Sequence, residues 1–286
     1  MNDKTRIFTF WEPKDKMPGY LRACMRTWRF IPDSEIVLLD NRTLGDWLPQ
    51  DEIDSVRCSK LILAVQADCY RALLLNRHGG IWFDVDTIVT PAIADEDGLL
   101  DAGKGADVTA FGRRPSSPTA GDGALYGCYF NALRPHTDMF ESWTSQLPQR
   151  VSMFRRYANN PLLRLFGRKA WRKCRRWNYC LNDILDPLSY ELNNRQLCLL
   201  DETTFHVHPE LSCQEAERAR EKYERYYFSP GDPAEALSQS KGLILLHNSW
   251  TPEKYRLMSE TEFLKTDTRL AAILGHLQRN FPACSS

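Results

Sequence analysis

No stretch of this chain approaches the run of about 18 apolar residues that a membrane-crossing helix needs, so a spanning helix is not expected. The opening Met1-Asn2-Asp3-Lys4-Thr5-Arg6 leads straight into Ile7-Phe8-Thr9-Phe10-Trp11, with no apolar leader and no small-residue cleavage site, and a cytoplasmic protein is expected. Cysteine pairs at metal or redox spacing are missing as well. The nine cysteines are odd in number, and Cys24, Cys69 and Cys128 sit inside apolar patterns, as small buried hydrophobes in a reducing compartment do. There is no internal repeat and no low-complexity tract, and net charge is nil, with 37 basic and 37 acidic residues. The balance is uneven, however. From Arg150 to Arg176 there are ten Lys/Arg residues and no acid, which leaves 27 basic against 37 acidic residues elsewhere.

The patterning is that of an α/β chain. Residues 5–11 read as a buried strand, and Pro18 as the first residue of a helix carrying Tyr20, Leu21, Cys24, Met25 and Trp28. Glu35-Ile36-Val37-Leu38-Leu39-Asp40 reads as a second strand, and strand–helix–strand within 40 residues is the unit of a parallel sheet. Ser59 is expected to cap a helix from Lys60 to about Arg77, stopped by Gly79. Val108 to Phe111 and Ala124 to Leu133 read as strands, Pro135 as the opening of another helix, Lys241 to Leu246 as a late strand, and 260–281 as a closing amphipathic helix. One domain spanning 1–286 is expected, with a basic, aromatic, helical insertion at about 150–185.

The most informative segment is Gly79-Gly80-Ile81-Trp82-Phe83-Asp84-Val85-Asp86. Read as one strand, it puts Asp84 and Asp86 on the same face, with Cα atoms about 6.6 Å apart. Two like charges on an apolar strand are costly unless a cation joins them, and hard carboxylate oxygens suit Mg2+ or Mn2+ shared with a phosphate-bearing substrate. On the preceding helix Asp68 and Arg71, three apart, share a face inside the apolar run Leu61 to Leu75. Such a pair could hydrogen-bond sugar hydroxyls. Ligands in open α/β sheets bind beyond the carboxyl ends of strands, and Trp11, Asp84, Asp86 and His247 fall at strand ends.

The run Ala67-Asp68-Cys69-Tyr70-Arg71, the Gly79-Gly80 pair and the aromatic-x-Asp-x-Asp that follows resemble glycosyltransferase family 32, the sugar transferases with a DxD motif. Phe8-Thr9-Phe10-Trp11, Pro18-Gly19-Tyr20 with Trp28, and Pro32-Asp33-x-Glu35-Ile36 resemble its capsular-polysaccharide-synthesis branch, and His247-Asn248-Ser249-Trp250 its C-terminal end. The resemblance covers roughly 5–135 and 241–256. It implies a GT-A-like, Rossmann-like nucleotide-binding fold, a divalent Mn2+ or Mg2+ ion and a retaining hexosyl transfer. The implied donor is a nucleotide sugar, UDP-linked by preference with GDP as the alternative base. The acceptor is a glycan or a lipid-linked sugar in surface polysaccharide assembly. By the same resemblance Trp11 stacks on the base, Asp68 and Arg71 hold the donor sugar, and Asp84 contacts ribose or sugar. Asp86 binds the metal, His247 or Ser249 completes the metal site, and Trp250 lies near the phosphates. Ala67 stands where family members often carry a serine.

Two rivals belong to other classes. Asp84-Val85-Asp86-Thr87 also resembles the nucleophile motif of haloacid-dehalogenase-like phosphohydrolases, but the strand is not early in the chain and no glycine closely follows the second acid. A non-catalytic scaffold binding membrane or nucleic acid through the insertion is the other. Aromatic and leucine side chains interleave with arginine from 150 to 176; a solvated helix pair accounts for this, the sharper reading is peripheral contact with the inner face of a membrane, and a nucleic-acid interface comes third. Asp183 and Asp186 are candidates for a carboxylate near the anomeric carbon, with helix-cap or turn roles preferred. His206 and His208 are assigned structural roles.

Overall fold

The computed structural model describes residues 4–120, 122–201 and 216–280, so His206 and His208 lie outside the described residues. The chain forms two compact units: Met1–Lys14, Glu35–Phe83 and Gly105–Leu200 make unit 1, and Asp15–Ser34, Asp84–Lys104 and Asp201–Ser286 make unit 2.

Unit 1 is built on a six-stranded mixed sheet. Its strands are β1 (Thr5–Phe10), β2 (Ser34–Leu39), β3 (Gly80–Phe83), β5 (Val108–Arg113), β6 (Ala124–Ala132) and β7 (Leu197–Leu200), in the order β2-β1-β3-β6-β5-β7. β1 runs parallel to β3, with Phe8 opposite Trp82, and β5 runs parallel to β7. β6 is antiparallel to both β3 and β5, so the sheet is mixed rather than purely parallel. Ile7, Phe8, Thr9 and Phe10 are all buried. A strand covered on both faces reads as an unbroken apolar run, which is why β1 is legible without alternation. The helix α3 (Leu63–His78) is apolar nearly all round, with Val65, Cys69, Tyr70, Ala72, Leu74 and Leu75 buried. It packs against α5 (Asp138–Asn159), and Phe8, Trp82, Phe130, Phe140 and Trp143 join them in one core. Gly79 ends α3 at φ +62, and Gly80 follows at φ +91, where a Cβ would stand 2.5 Å from the Arg6 carbonyl oxygen. The paired glycines let β3 start beside β1 without a gap.

Unit 2 holds a two-stranded antiparallel sheet, β4 (Thr87–Val89) with β8 (Leu243–Leu245), Ile88 facing Ile244. The chain from α1 (Gly19–Arg26) into the following single turn braces it: the Trp28 indole N–H donates to the Thr87 carbonyl at 2.8 Å, and the Val89 N–H donates to the Thr27 hydroxyl at 2.8 Å. Around it lie α9 (Ala216–Phe228), α12 (Glu260–Phe263) and α13 (Arg269–Asn280). α12 opens with a reciprocal cap between Ser259 and Glu262.

Several boundaries depart from the sequence reading. Pro18 is the N-cap of α1 rather than its first residue. Ser59 does not cap α3. It hydrogen-bonds the Val56 carbonyl and the Leu61 N–H in a turn, Lys60 takes φ +66, and the helix begins at Leu63. Pro135 precedes α5 by three residues, since Thr137 holds the N-cap position. The closing helix is two, α12 and α13, because the segment from Leu264 to Thr268 turns between them. Finally, Asp84-Val85-Asp86 is not strand. β3 stops at Phe83, and the Thr87 N–H donates to the Asp84 carbonyl at 3.0 Å, closing a turn before β4. Asp seeds turns readily, and that local preference overrides the two-residue alternation on which a shared strand face was expected.

Candidate functional site

In unit 2 the turn puts two carboxylates on a short bend between strands. Both are partly buried. Asp86 is pinned by its neighbours in the sheet. Its carbonyl accepts the Leu246 N–H at 3.2 Å, and its Oδ2 accepts the Asn248 N–H at 2.8 Å. The Asn248 side-chain carbonyl accepts the Tyr20 hydroxyl at 2.6 Å, so α1, the Asp86 turn and the loop after β8 share one hydrogen-bonded chain. Burial, and then the Asp84 carboxylate, push Asp86 up to about 7, against the lowering effect of the Asn248 amide. The Tyr20 hydroxyl is raised by its own burial and then by Asp86. No Lys, Arg or His among the described residues pairs with Asp86.

The loop after β8 carries the other expected ligands. His247 packs its ring on Trp250 with centroids 4.2 Å apart, and its backbone N–H donates to the Tyr223 hydroxyl at 3.1 Å. Tyr223 also meets the Trp250 ring edge-on at 5.7 Å. Burial lowers His247 from the ordinary histidine value and so favours the neutral form, the one that can ligate a metal. Ser249 is exposed on the turn Asn248–Trp250. Among the described residues no three His, Cys, Asp or Glu side chains are grouped to hold a metal ion. The donor set still fits a hard divalent cation of the kind held by one or two carboxylates and completed by substrate phosphates: two adjacent carboxylates, one raised by burial and then by the other, with no cation on Asp86 among the described residues.

In unit 1 Asp68 and Arg71 form the expected pair on α3, Oδ1 to Nη1 2.8 Å, with both side chains less than a tenth exposed. The guanidinium lies 4.8 Å from the centre of the Trp82 ring and 5.9 Å from that of Phe130. Gly127 on β6 makes room for it, since a Cβ there would come within 2.3 Å of Nη1. Trp11 directly follows β1 and is half-buried; its N–H donates to the Leu39 carbonyl at 3.0 Å, and its ring makes no aromatic contact among the described residues. The loop behind it is fastened by Glu12, whose Oε2 accepts the Asn41 N–H at 2.8 Å.

Asp183 lies in the first turn of α8 (Asn182–Glu191), 3.7 Å from Arg150 and 4.0 Å from Arg176. Asp186 is raised by burial, with the Asn182 amide at 3.2 Å offsetting part of it and Asp183 adding to it. A carboxyl whose folded-state pKa is raised adds stability below the unfolded value and loses it as pH climbs through the folded value. Asp186→Asn, which keeps an acceptor for Asn182, is therefore expected to stabilise the fold at neutral pH. The difference should vanish at about pH 4. Urea denaturation of parent and variant at both pH values checks this, and an equal gain at both would assign it to something other than charge.

Sequence spacing missed Asn248, Tyr20, Trp82, Phe130 and Gly127. Their partners lie across strands or, for Tyr20 and Asn248, 228 positions apart, and only a guess at strand pairing could have joined them.

No curated protein matches the chain. Residues 1–105, just over a third of it, match the model of a family described as capsular polysaccharide synthesis protein. The matched stretch holds Trp11, Asp68, Arg71, Asp84 and Asp86 and ends before His247, Ser249 and Trp250. This finding supports the capsular-polysaccharide-synthesis family for the part of the chain it covers.

Proposed function

We propose that the protein is a metal-dependent, retaining glycosyltransferase that moves a sugar from a nucleotide-sugar donor to a glycan or lipid-linked acceptor in surface polysaccharide assembly. The observation that carries this reading is the Asp86 carboxylate, held by the Asn248 N–H, raised to about 7 by burial and by Asp84, and without a cationic partner among the described residues. The capsular-synthesis match over the same residues points to sugar transfer as its use. A bound Mn2+ or Mg2+ would supply Lewis-acid stabilisation of the departing diphosphate.

The chain's own residues have the remaining tasks. Asp86 holds the cation, fixed in direction by the Asn248 N–H, with His247 or Ser249 as a further ligand. Asp84 and the Asp68–Arg71 pair take sugar or ribose hydroxyls, Trp11 stacks on the base, and Trp250 borders the phosphates. The sugar passes through an oxocarbenium-like state. No strong protein base is required, because the acceptor hydroxyl can give its proton to the departing phosphate on the same face. These roles rest on the family pattern.

A thermal-shift panel tests the reading. UDP- and GDP-sugars are added with and without Mn2+, since a ligand that binds only the native state raises apparent stability by mass action. One nucleotide sugar is expected to raise the midpoint in the presence of Mn2+ alone. Trp11→Ala should weaken that donor by about 5- to 100-fold, the worth of one base–aromatic stack. No shift with any nucleotide sugar would remove the proposal.

A further inference from the structure

The acid-free segment of unit 1 is an ordered helical arm. α5 carries Arg155 and Arg156 toward its end, α6 (Pro161–Phe166) follows, and α7 (Arg168–Cys174) completes it. The Asn160 side chain caps α6 by accepting the Leu162 and Leu163 N–H groups, with Pro161 at the first helical position. The inner side of α7 is anchored to α5, where Trp171 stacks on Tyr157 and packs on Phe154, and Cys174 is buried.

The outer sides are of two kinds. On α6, Leu162, Leu165 and Phe166 stand at i, i+3 and i+4 and so share a face. They are exposed, Leu162 at 64% and Phe166 at 83%. On α7, Arg168, Lys169, Arg172 and Lys173 form the exposed face opposite Trp171 and Cys174. None of these four cations has an ion-pair partner among the described residues. Phe166 lines one concave surface together with Arg168, Lys169, Arg172, Lys173 and Arg176, so apolar and basic groups meet there.

We propose that this arm docks the protein on the surface of an anionic lipid bilayer, the α7 cations on headgroup phosphates and the α6 stripe, with Trp177 exposed just beyond α7, at the acyl boundary. A purely solvated basic face would have no use for a stripe of bare leucine and phenylalanine. A nucleic-acid surface would use the cations and the aromatics but gains nothing from exposed Leu162 and Leu165. Interfacial helices need both, a polar face rich in Lys/Arg and an apolar face that enters the boundary. Each Lys or Arg near an anionic leaflet adds to the attraction, and the total falls with salt. The proposal stands apart from the sugar-transfer reading, because none of these residues has a role in it.

Vesicle flotation of the full chain decides the matter. The parent is expected to float with vesicles of equimolar phosphatidylcholine and phosphatidylglycerol and to stay behind with phosphatidylcholine alone. The quadruple variant Arg168→Glu, Lys169→Glu, Arg172→Glu and Lys173→Glu should lose binding by about tenfold or more. The triple variant Leu162→Ser, Leu165→Ser and Phe166→Ser should also bind more weakly, and what remains should be removed by salt. All seven positions are at the surface, so circular dichroism and thermal midpoints should match the parent. A parent that fails to float with the anionic vesicles overturns the proposal. So does an affinity that either variant leaves unchanged. Retention of a short RNA by the parent in place of vesicles overturns it in favour of nucleic acid.

Discussion

Asp86→Ala is expected to abolish metal-stimulated sugar transfer, a fall of about a thousandfold or more in kcat, while the folded state survives. The size follows from what the carboxylate is asked to hold. Lewis-acid stabilisation of a departing diphosphate is worth several kcal/mol, and each 1.4 kcal/mol or so is a factor of ten in rate. Survival of the fold follows from the local chemistry. Asp86 is partly buried beside a second carboxylate, and among the described residues no cation pairs with it. Removing that charge therefore relieves repulsion as well as losing one hydrogen bond from Asn248. Asp86→Asn sharpens the test because it keeps an oxygen for the Asn248 N–H and discards only the charge. It should match the parent or exceed it in thermal midpoint without metal, and show no midpoint gain on adding Mn2+. An Asp86→Asn protein that still gains stability from Mn2+, or an Asp86→Ala protein with full activity, would place the cation elsewhere.

Asp86 could be singled out from the sequence, but the strand alternation that singled it out does not hold in three dimensions. Alternation along a strand puts residues two apart on one face, yet the segment after Phe83 is a turn closed by the Thr87 N–H on the Asp84 carbonyl. The two acids are electrostatic neighbours because the chain bends between them. The strands themselves were legible where an apolar run met a clear stop, as β1 does; of β3 the glycine start was legible and the end at Phe83 was not. β7 was not legible, because its four residues Leu197–Leu200 follow the polar Asn193-Asn194-Arg195-Gln196 and, among the described residues, pair with β5 alone. Helix starts were the least legible feature. Ser59 has the right chemistry for a cap but spends its hydroxyl within a turn, and nothing in its spacing from Leu63 reveals that. Asp68 and Arg71 were found by helical spacing alone, because an i, i+3 pair needs no tertiary information. Trp82, Phe130 and Gly127, which shape the space around Arg71, become neighbours only once β3 pairs with β6.

The second large effect is on stability. Arg71→Ala is expected to cost about 3–5 kcal/mol, because it breaks a buried ion pair from one side, taking the guanidinium 2.8 Å away from the Asp68 carboxylate. Asp68 is 6% exposed and Arg71 3%, so water cannot take the place of the lost charge. Replacing both, as Asp68→Leu with Arg71→Met, should recover most of that loss, since a buried ion pair contributes little net stability over apolar residues of similar volume. A smaller penalty is expected at Gly127. The Cβ of Gly127→Ala would press on Arg71 Nη1, and the guanidinium is held between Asp68, Trp82 and Phe130 and has little room to retreat. Overpacking of this kind costs about 1–3 kcal/mol. Urea denaturation midpoints of the three variants give the order directly. An Arg71→Ala loss below about 1 kcal/mol would mean that the pair is solvated and costs little to break. Arg71→Lys separates stability from function. It keeps the positive charge beside Asp68 but gives up the planar fork that can serve Asp68 and a sugar hydroxyl together. If the pair grips the donor sugar, this variant should stay folded and lose kcat/KM for the donor. If the pair is only a core contact, stability and kcat/KM should fall together or not at all.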